Sequence, residues 1–265
     1  MPATCTRLCW LGNSAFLVTT PARTTLLVDP FDTRLGYPNP TLPPIDVLAL
    51  THEHRNHNNI EIVSSSSTVI RGVSSNGWNP QHFTYKDLSI TVVAGAYRGR
   101  SGGRTRARTA IMSIETGGVR ILHMGGLGHE LDVNLRAQCK DHSVVLVPIG
   151  GVVTLNGQEA SVVVDSIGAD ISIPMHYKNP AAPNSPLAHL DESGFLDNKL
   201  VKYLKTDYID LPSAKPPQHG TVLIPRLASA ANARIRRKQA GDKKPEGSCS
   251  ARQTEPHVRR RPEQT

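Results

Sequence analysis

Residues 48–59 read LALTHEHRNHNN. A short apolar run ends at Thr51, and His52, His54 and His57 follow within six positions, three of the chain's eleven histidines. Such a run is strand-like, so the histidines fall on the tight loop that leaves the strand. Side chains at i and i+2 of an extended chain point the same way, which pairs His52 with His54. A third histidine three residues on can turn back to the same point. Neutral imidazole is the commonest metal ligand near pH 7. Structural zinc recruits thiolates, and this stretch has none, so the pattern fits a catalytic metal with an open position for water. A polar surface loop is the competing account of the same residues.

Around this loop the chain reads as many short strands. TRLCWLG (6–12), AFLVTT (15–20), TTLLVDP (24–30) and VLALTH (47–52) are short, apolar and β-branched, with turn residues between them. STVIRG, LSITVVAGA, AIMSIET and VRILHMGG continue the pattern, and Gly117–Gly118 joins the last two as a hairpin. SVVLVPIGG and ADISIPMH are further strands. Between them, Ala160, Val163, Val164 and Ile167 recur at helical spacing, with Gly168 placed to stop the helix. HLDESGFLDNKLVKYLK (189–205), acidic at its start, predicts a second helix. Two packed sheets with helices outside would bury this pattern.

Length and charge bound the rest. The 265 residues fit one large domain, expected over 1–225. The formal net charge is +8, but residues 226–265 carry eleven Lys/Arg against four Asp/Glu, so 11 − 4 = +7 of it lies there. This tail has no aromatic residue and no sustained periodicity, which predicts disorder. It is either a solvated appendage or a loose, salt-sensitive contact for nucleic acid or another acidic surface. No run of about 18 apolar residues predicts a membrane span. Cys5, Cys9, Cys139 and Cys249 form no CxxC pair, which with the lack of an apolar leader gives a cytoplasmic expectation. Oligomeric state is not readable.

Two other histidines end strands far from the first cluster: His123 in RILHMGGLGHEL and His176 in ISIPMHYK. Together with THEHRNH and with WLGN near the start, they resemble the metallo-β-lactamase superfamily, in particular its lactonase-like, metal-dependent hydrolase branch. The resemblance runs from Trp10 to Pro180, in order, and extends toward Phe195. It implies an α+β fold, a four-layer αββα sandwich with a metal site at one sheet edge, and hydrolysis of an ester, lactone, amide or phosphodiester in a small molecule. In the motif T-H-x-H-x-D-H, Thr51, His52, His54 and His57 match, and Asn56 stands at the aspartate. In H-x-G-D-x-G-H, His123, Gly125, Gly128 and His129 match, and Gly126 stands at the bridging aspartate. His176 matches the last histidine. Asn13 replaces a histidine of W-x-G-H, and Arg98–Gly99 stands where the branch often has a His-Asp pair.

The resemblance assigns metal ligation to His52, His54, His57, His123 and His176. Without the two carboxylates a two-metal site loses the negative charge that holds it. The expectation is one zinc per chain on His52, His54 and His123. Asn56 would then bond the metal-activated water, and His57 or His176 would do acid–base work. The alternative is a silent relative used for binding or scaffolding. Arg98 and the arginines of the Gly/Arg-rich segment 98–109 are either a receiver for an anionic substrate or a solvated loop. Gly150–Gly151 predicts a tight turn near the metal. Asp29 either orients a histidine or caps a turn.

Overall fold

The computed structural model describes residues 5–99, 107–179, 187–212 and 218–228. Arg100, Arg104 and Arg106 of the Gly/Arg-rich segment lie outside the described residues, as do residues 229–265 of the basic tail. The strands are β1 (Cys5–Gly12), β2 (Ala15–Thr19), β3 (Thr25–Val28), β4 (Val47–Leu50), β5 (Thr68–Arg71), β6 (Val73–Ser74), β7 (Gly77–Trp78) and β8 (His82–Tyr85). There follow β9 (Leu88–Tyr97), β10 (Arg108–Thr116), β11 (Val119–His123), β12 (Val144–Pro148), β13 (Ile171–Met175), β14 (Leu200–Tyr203), β15 (Tyr208–Pro212) and β16 (Thr221–Ile224). Helix α1 (Val133–Cys139) precedes β12, and α2 (Gly157–Ile167) joins β12 to β13.

The strands form a six-stranded sheet, ordered β15-β1-β2-β3-β4-β5, an eight-stranded sheet, ordered β14-β16-β13-β12-β11-β10-β9-β8, and a two-stranded antiparallel sheet, β6-β7. Alternation along the first sheet sorts its side chains. Leu8, Trp10, Phe16, Val18, Leu26, Val28, Val47 and Ala49 enter the main core with the second sheet. Cys9, Leu11, Leu17, Leu27, Leu48 and Leu50 face the other way. That outer face is covered by Phe31, Tyr37 and Ile45, from the segment between β3 and β4, and by Ala228. So the expected helical layer over the first sheet is, among the described residues, loop and short 3-10 turns. On the second sheet α2 buries Ala160, Val163, Val164 and Ile167, the predicted stripe, and ends at Gly168.

The Gly117–Gly118 hairpin is as expected: both residues take positive φ, 57° and 74°, which a two-residue type I′ turn requires. The helix expected over 189–205 is absent. Turns occupy 190–198, with Gly194 and Asn198 at positive φ and the Ser193 hydroxyl accepting from the Phe195 amide. Left-handed residues interrupt a helix, and Leu200–Tyr203 instead pairs in parallel with β16. The chain also stays packed past Pro225: the Arg226 amide bonds Thr206, the Ala228 amide bonds Trp10, and Ala228 is buried.

Strand direction places the site. β3, β4 and β5 are parallel neighbours, as are β11, β12 and β13. Their carboxyl ends carry Asp29, Thr51–His52, His123, Gly150 and His176. Ligand sites in such sheets form at the carboxyl ends of parallel strands.

Candidate metal centre

Asp29, the residue after β3, organises the centre. It is fully buried and held at φ 46°, a strained conformation for a non-glycine residue. Its Oδ1 accepts the Thr51 amide at 2.7 Å, and its Oδ2 accepts the Thr51 hydroxyl at 2.6 Å. The same Oδ2 lies 2.8 Å from His57 Nδ1. His52 Nδ1 is 2.9 Å from the Thr51 hydroxyl, whose own proton goes to Asp29. Only Nδ1–H tautomers satisfy this chain: His57 donates to the carboxylate directly, and His52 donates through Thr51. Each ring is left with a lone pair at Nε2. Both Nε2 atoms are buried and have no hydrogen-bond partner. The two rings sit 4.1 Å apart between centroids. Asp29, His52 and His57 each present a ligand atom within 4.8 Å of the others. A carboxylate that fixes the far nitrogen of an imidazole is the usual support of a metal ligand.

Charge follows burial. Desolvation pushes the Asp29 carboxyl up to about 6, against its hydrogen bonds and nearby positive groups. Burial, then neighbouring charges, holds His52 and His57 well below the usual imidazole range. Burial, with His57 and Arg98, pushes His176 down to about 3. These rings are neutral at pH 7, the state that ligates a metal.

The other expected residues divide. His176, at φ 56°, stacks on His57 with centroids 5.6 Å apart. Its amide donates to the Asn13 carbonyl, which also takes the Trp10 indole proton. The Asn13 side chain donates to the Asn56 carbonyl at 3.0 Å, so Asn13 ties the His57 loop to the His176 strand end. His54 is exposed at the cleft wall, its ring 6.5 Å from that of His52. His123 stands apart. Its Nε2 donates to the Ser14 carbonyl at 3.0 Å, and its Nδ1 accepts from the Gly125 amide at 3.1 Å. A carbonyl only accepts and an amide only donates, so no lone pair on His123 is free. A Cβ on Gly150 would lie 2.2 Å from the His176 carbonyl oxygen, and Gly151 takes φ 77°, so the paired glycines combine a close backbone approach with a turn beside His176.

The β-lactamase superfamily domain matches residues 7–176, most of the described chain. The chain belongs to the metallo-β-lactamase superfamily. A UPF0173 metal-dependent hydrolase of Alkaliphilus metalliredigens is 30% identical over 198 residues, covering 67% of this chain and 88% of that one. Another, from Methanoregula boonei, is 31% identical over 186 residues, covering 64% and 81%. Among solved structures, a metallo-β-lactamase superfamily protein of Thermotoga maritima superposes with a TM-score of 0.62 at 23% identity, covering 83% of this chain and 100% of its own.

A two-metal centre of metallo-β-lactamase type does not fit these residues. Gly126 and Asn56, which the motif resemblance sets at the two carboxylate positions, carry no carboxylate, and His123 has no free nitrogen. The space is also taken. A Cβ on Gly126 would lie 2.9 Å from Arg98 Cγ and 3.0 Å from its Nε. Arg98 was expected on either a solvated or a substrate-receiving segment; it is 9% exposed and packed into the centre. Two supported, partnerless imidazole nitrogens, with the neutral rings of His54 and His176 beside them, are donors that a metal ion accepts. Sequence reasoning missed Thr51 as a proton relay, and it missed Thr109. The Thr109 hydroxyl accepts from the Gly126 amide at 3.0 Å and lies 3.2 Å from His52 Nδ1. No local pattern marks either role.

Proposed function

We propose that this protein is a metal-dependent hydrolase that works with one ion, zinc by preference, on an ester, lactone or phosphodiester bond of a small molecule. The observation that carries it is the pair of enclosed Nε2 atoms on His52 and His57, both tautomers fixed by Asp29. These two would hold the ion, with His54 and His176 beside them. When bound, the ion supplies a Lewis acid and an activated water. The protein's own groups do the rest. Asp29 keeps the two ligand nitrogens unprotonated. Asn13 fixes the spacing of the His57 loop against His176. The cleft beside His52 and His54, about 470 Å³, admits the substrate. His57 is the weaker choice for acid–base work, because its Nδ1 is committed to Asp29 and its Nε2 to ligation. His176 is free of both.

A second reading, a silent relative used for binding, is favoured by Asn56, Gly126 and the Arg98 side chain that fills the place of the bridge. Elemental analysis of purified protein separates the two. The hydrolase reading expects about one zinc per chain, lost in His52→Ala and His57→Ala, with chelator-sensitive turnover of a lactone or phosphodiester. No metal and no turnover would leave the binding reading. Two ions per chain would contradict the reading of Asn56 and Gly126.

A further inference from the structure

The Arg98 backbone is locked. Its amide donates to the Ala107 carbonyl at 2.8 Å, and the flanking Tyr97 and Gly99 amides donate to His129 Nε2 at 3.2 Å and to the Val153 carbonyl at 2.8 Å. The stem lies against Gly126, in the space a side chain there would occupy. The Nε of Arg98 is enclosed and has no hydrogen-bond partner. Asp29, the carboxylate whose charge acts on Arg98, already receives two Thr51 protons and the His57 proton. The surrounding imidazoles are neutral. Asp29 offsets the charge of this guanidinium only in part, and its enclosed Nε is left unsatisfied by the protein; an unsatisfied buried polar group is costly, and a ligand that pairs with the guanidinium lowers that cost.

The cleft lined by His52, Glu53, His54, Tyr97, Arg98 and Arg108 opens on this group. Its one carboxylate, Glu53, is ion-paired with Arg71. Arg108 stands at the rim, its guanidinium 5.6 Å from the Trp78 ring centroid. The cleft therefore offers a buried cation and a rim cation and no free anion among the described residues. A planar guanidinium fork matches the oxygens of a carboxylate or phosphate.

We propose that Arg98 replaces the charge of the missing second metal and binds the substrate through an oxyanion, a carboxylate or phosphate group. The proposal rests on the single-ion reading for the site's chemistry, and anion binding itself requires no metal. The test titrates full-length protein with inorganic phosphate and, separately, acetate by calorimetry, before and after chelation, for wild type, Arg98→Met, Arg98→Lys and Arg108→Met. Saturable binding of at least one anion is expected, weakened roughly ten-fold or more in Arg98→Met and less in Arg108→Met. The preferred anion identifies the substrate group. If Arg98→Met does not fold, Arg98→Lys decides: it keeps the charge but loses the fork, so several-fold weaker binding is expected. Absence of binding to wild type, or equal binding by the Arg98 variants, overturns the proposal. Metal content is measured on the same samples. Arg98-dependent binding without metal would sink the hydrolase reading alone, and one metal without anion binding would sink only this one.

Discussion

At Asp29 a single carboxylate sets the state of two imidazoles, one directly and one through a threonine hydroxyl. At Arg98 a single side chain occupies the space that a side chain at Gly126 would need. These two residues bear on how a two-metal centre could be restored. Asn56→Asp with Gly126→Asp returns both carboxylates, but the three atoms nearest to a Cβ at 126 all belong to Arg98. We expect this double variant to gain no second ion. Adding Arg98→His clears the space, removes a cation and supplies a nitrogen where the family branch often has one. Metal per chain should then rise toward two, read by elemental analysis beside a melting curve that confirms folding. Two ions already present in the double variant would show that Arg98 is not the obstacle.

Among the elements, α2 has the most explicit local code. The Asn156 side chain accepts the Glu159 amide at 2.8 Å, and the Glu159 carboxylate accepts the Asn156 amide at 2.9 Å, a closed capping box. Asn156→Ala should cost about 1 kcal/mol, which in a domain of this size lowers Tm by about 2–4 °C. Because α2 packs on β12 and carries none of the candidate ligands, metal content should not change; loss of metal would show that the helix positions the site. Elements with such local signals were legible in the sequence: short β-branched runs, the Gly117–Gly118 turn, the 160–167 stripe. The segment 189–205 was not, because its apolar residues suit a helix while Gly194 and the pairing to β16 favour turns and a strand. Nor was α1, whose seven residues are too few for a periodicity to stand out.

Across the whole molecule, the site's legibility ran the same way. THEHRNH lies on one loop after one strand, so its chemistry shows in a single line of sequence. The fate of His123 depends on Ser14, 109 residues away, and that of Arg98 on the void at Gly126; neither distance nor void is written locally. The same burial that hides these groups sets how stability responds to acid. In metal-free protein, His52, His57, His123, His142 and His176 all have their pKa values lowered, first by burial. Below about pH 6.5 the unfolded chain takes up a proton at each, and the folded chain does not, so stability falls as pH falls, by about 1.4 kcal/mol per pH unit for each proton. Asp29 acts in the opposite sense. Its folded pKa is raised to about 6, so its contribution is present at low pH and lost as pH rises through that value. One carboxyl opposes several imidazoles, and the imidazoles win. The urea midpoint of chelated protein should therefore be clearly lower at about pH 5 than at about pH 7. A bound ion that requires neutral ligands should steepen the loss, because acid then also releases the metal. A midpoint that holds or rises on acidification would mean the rings are protonated in the folded state.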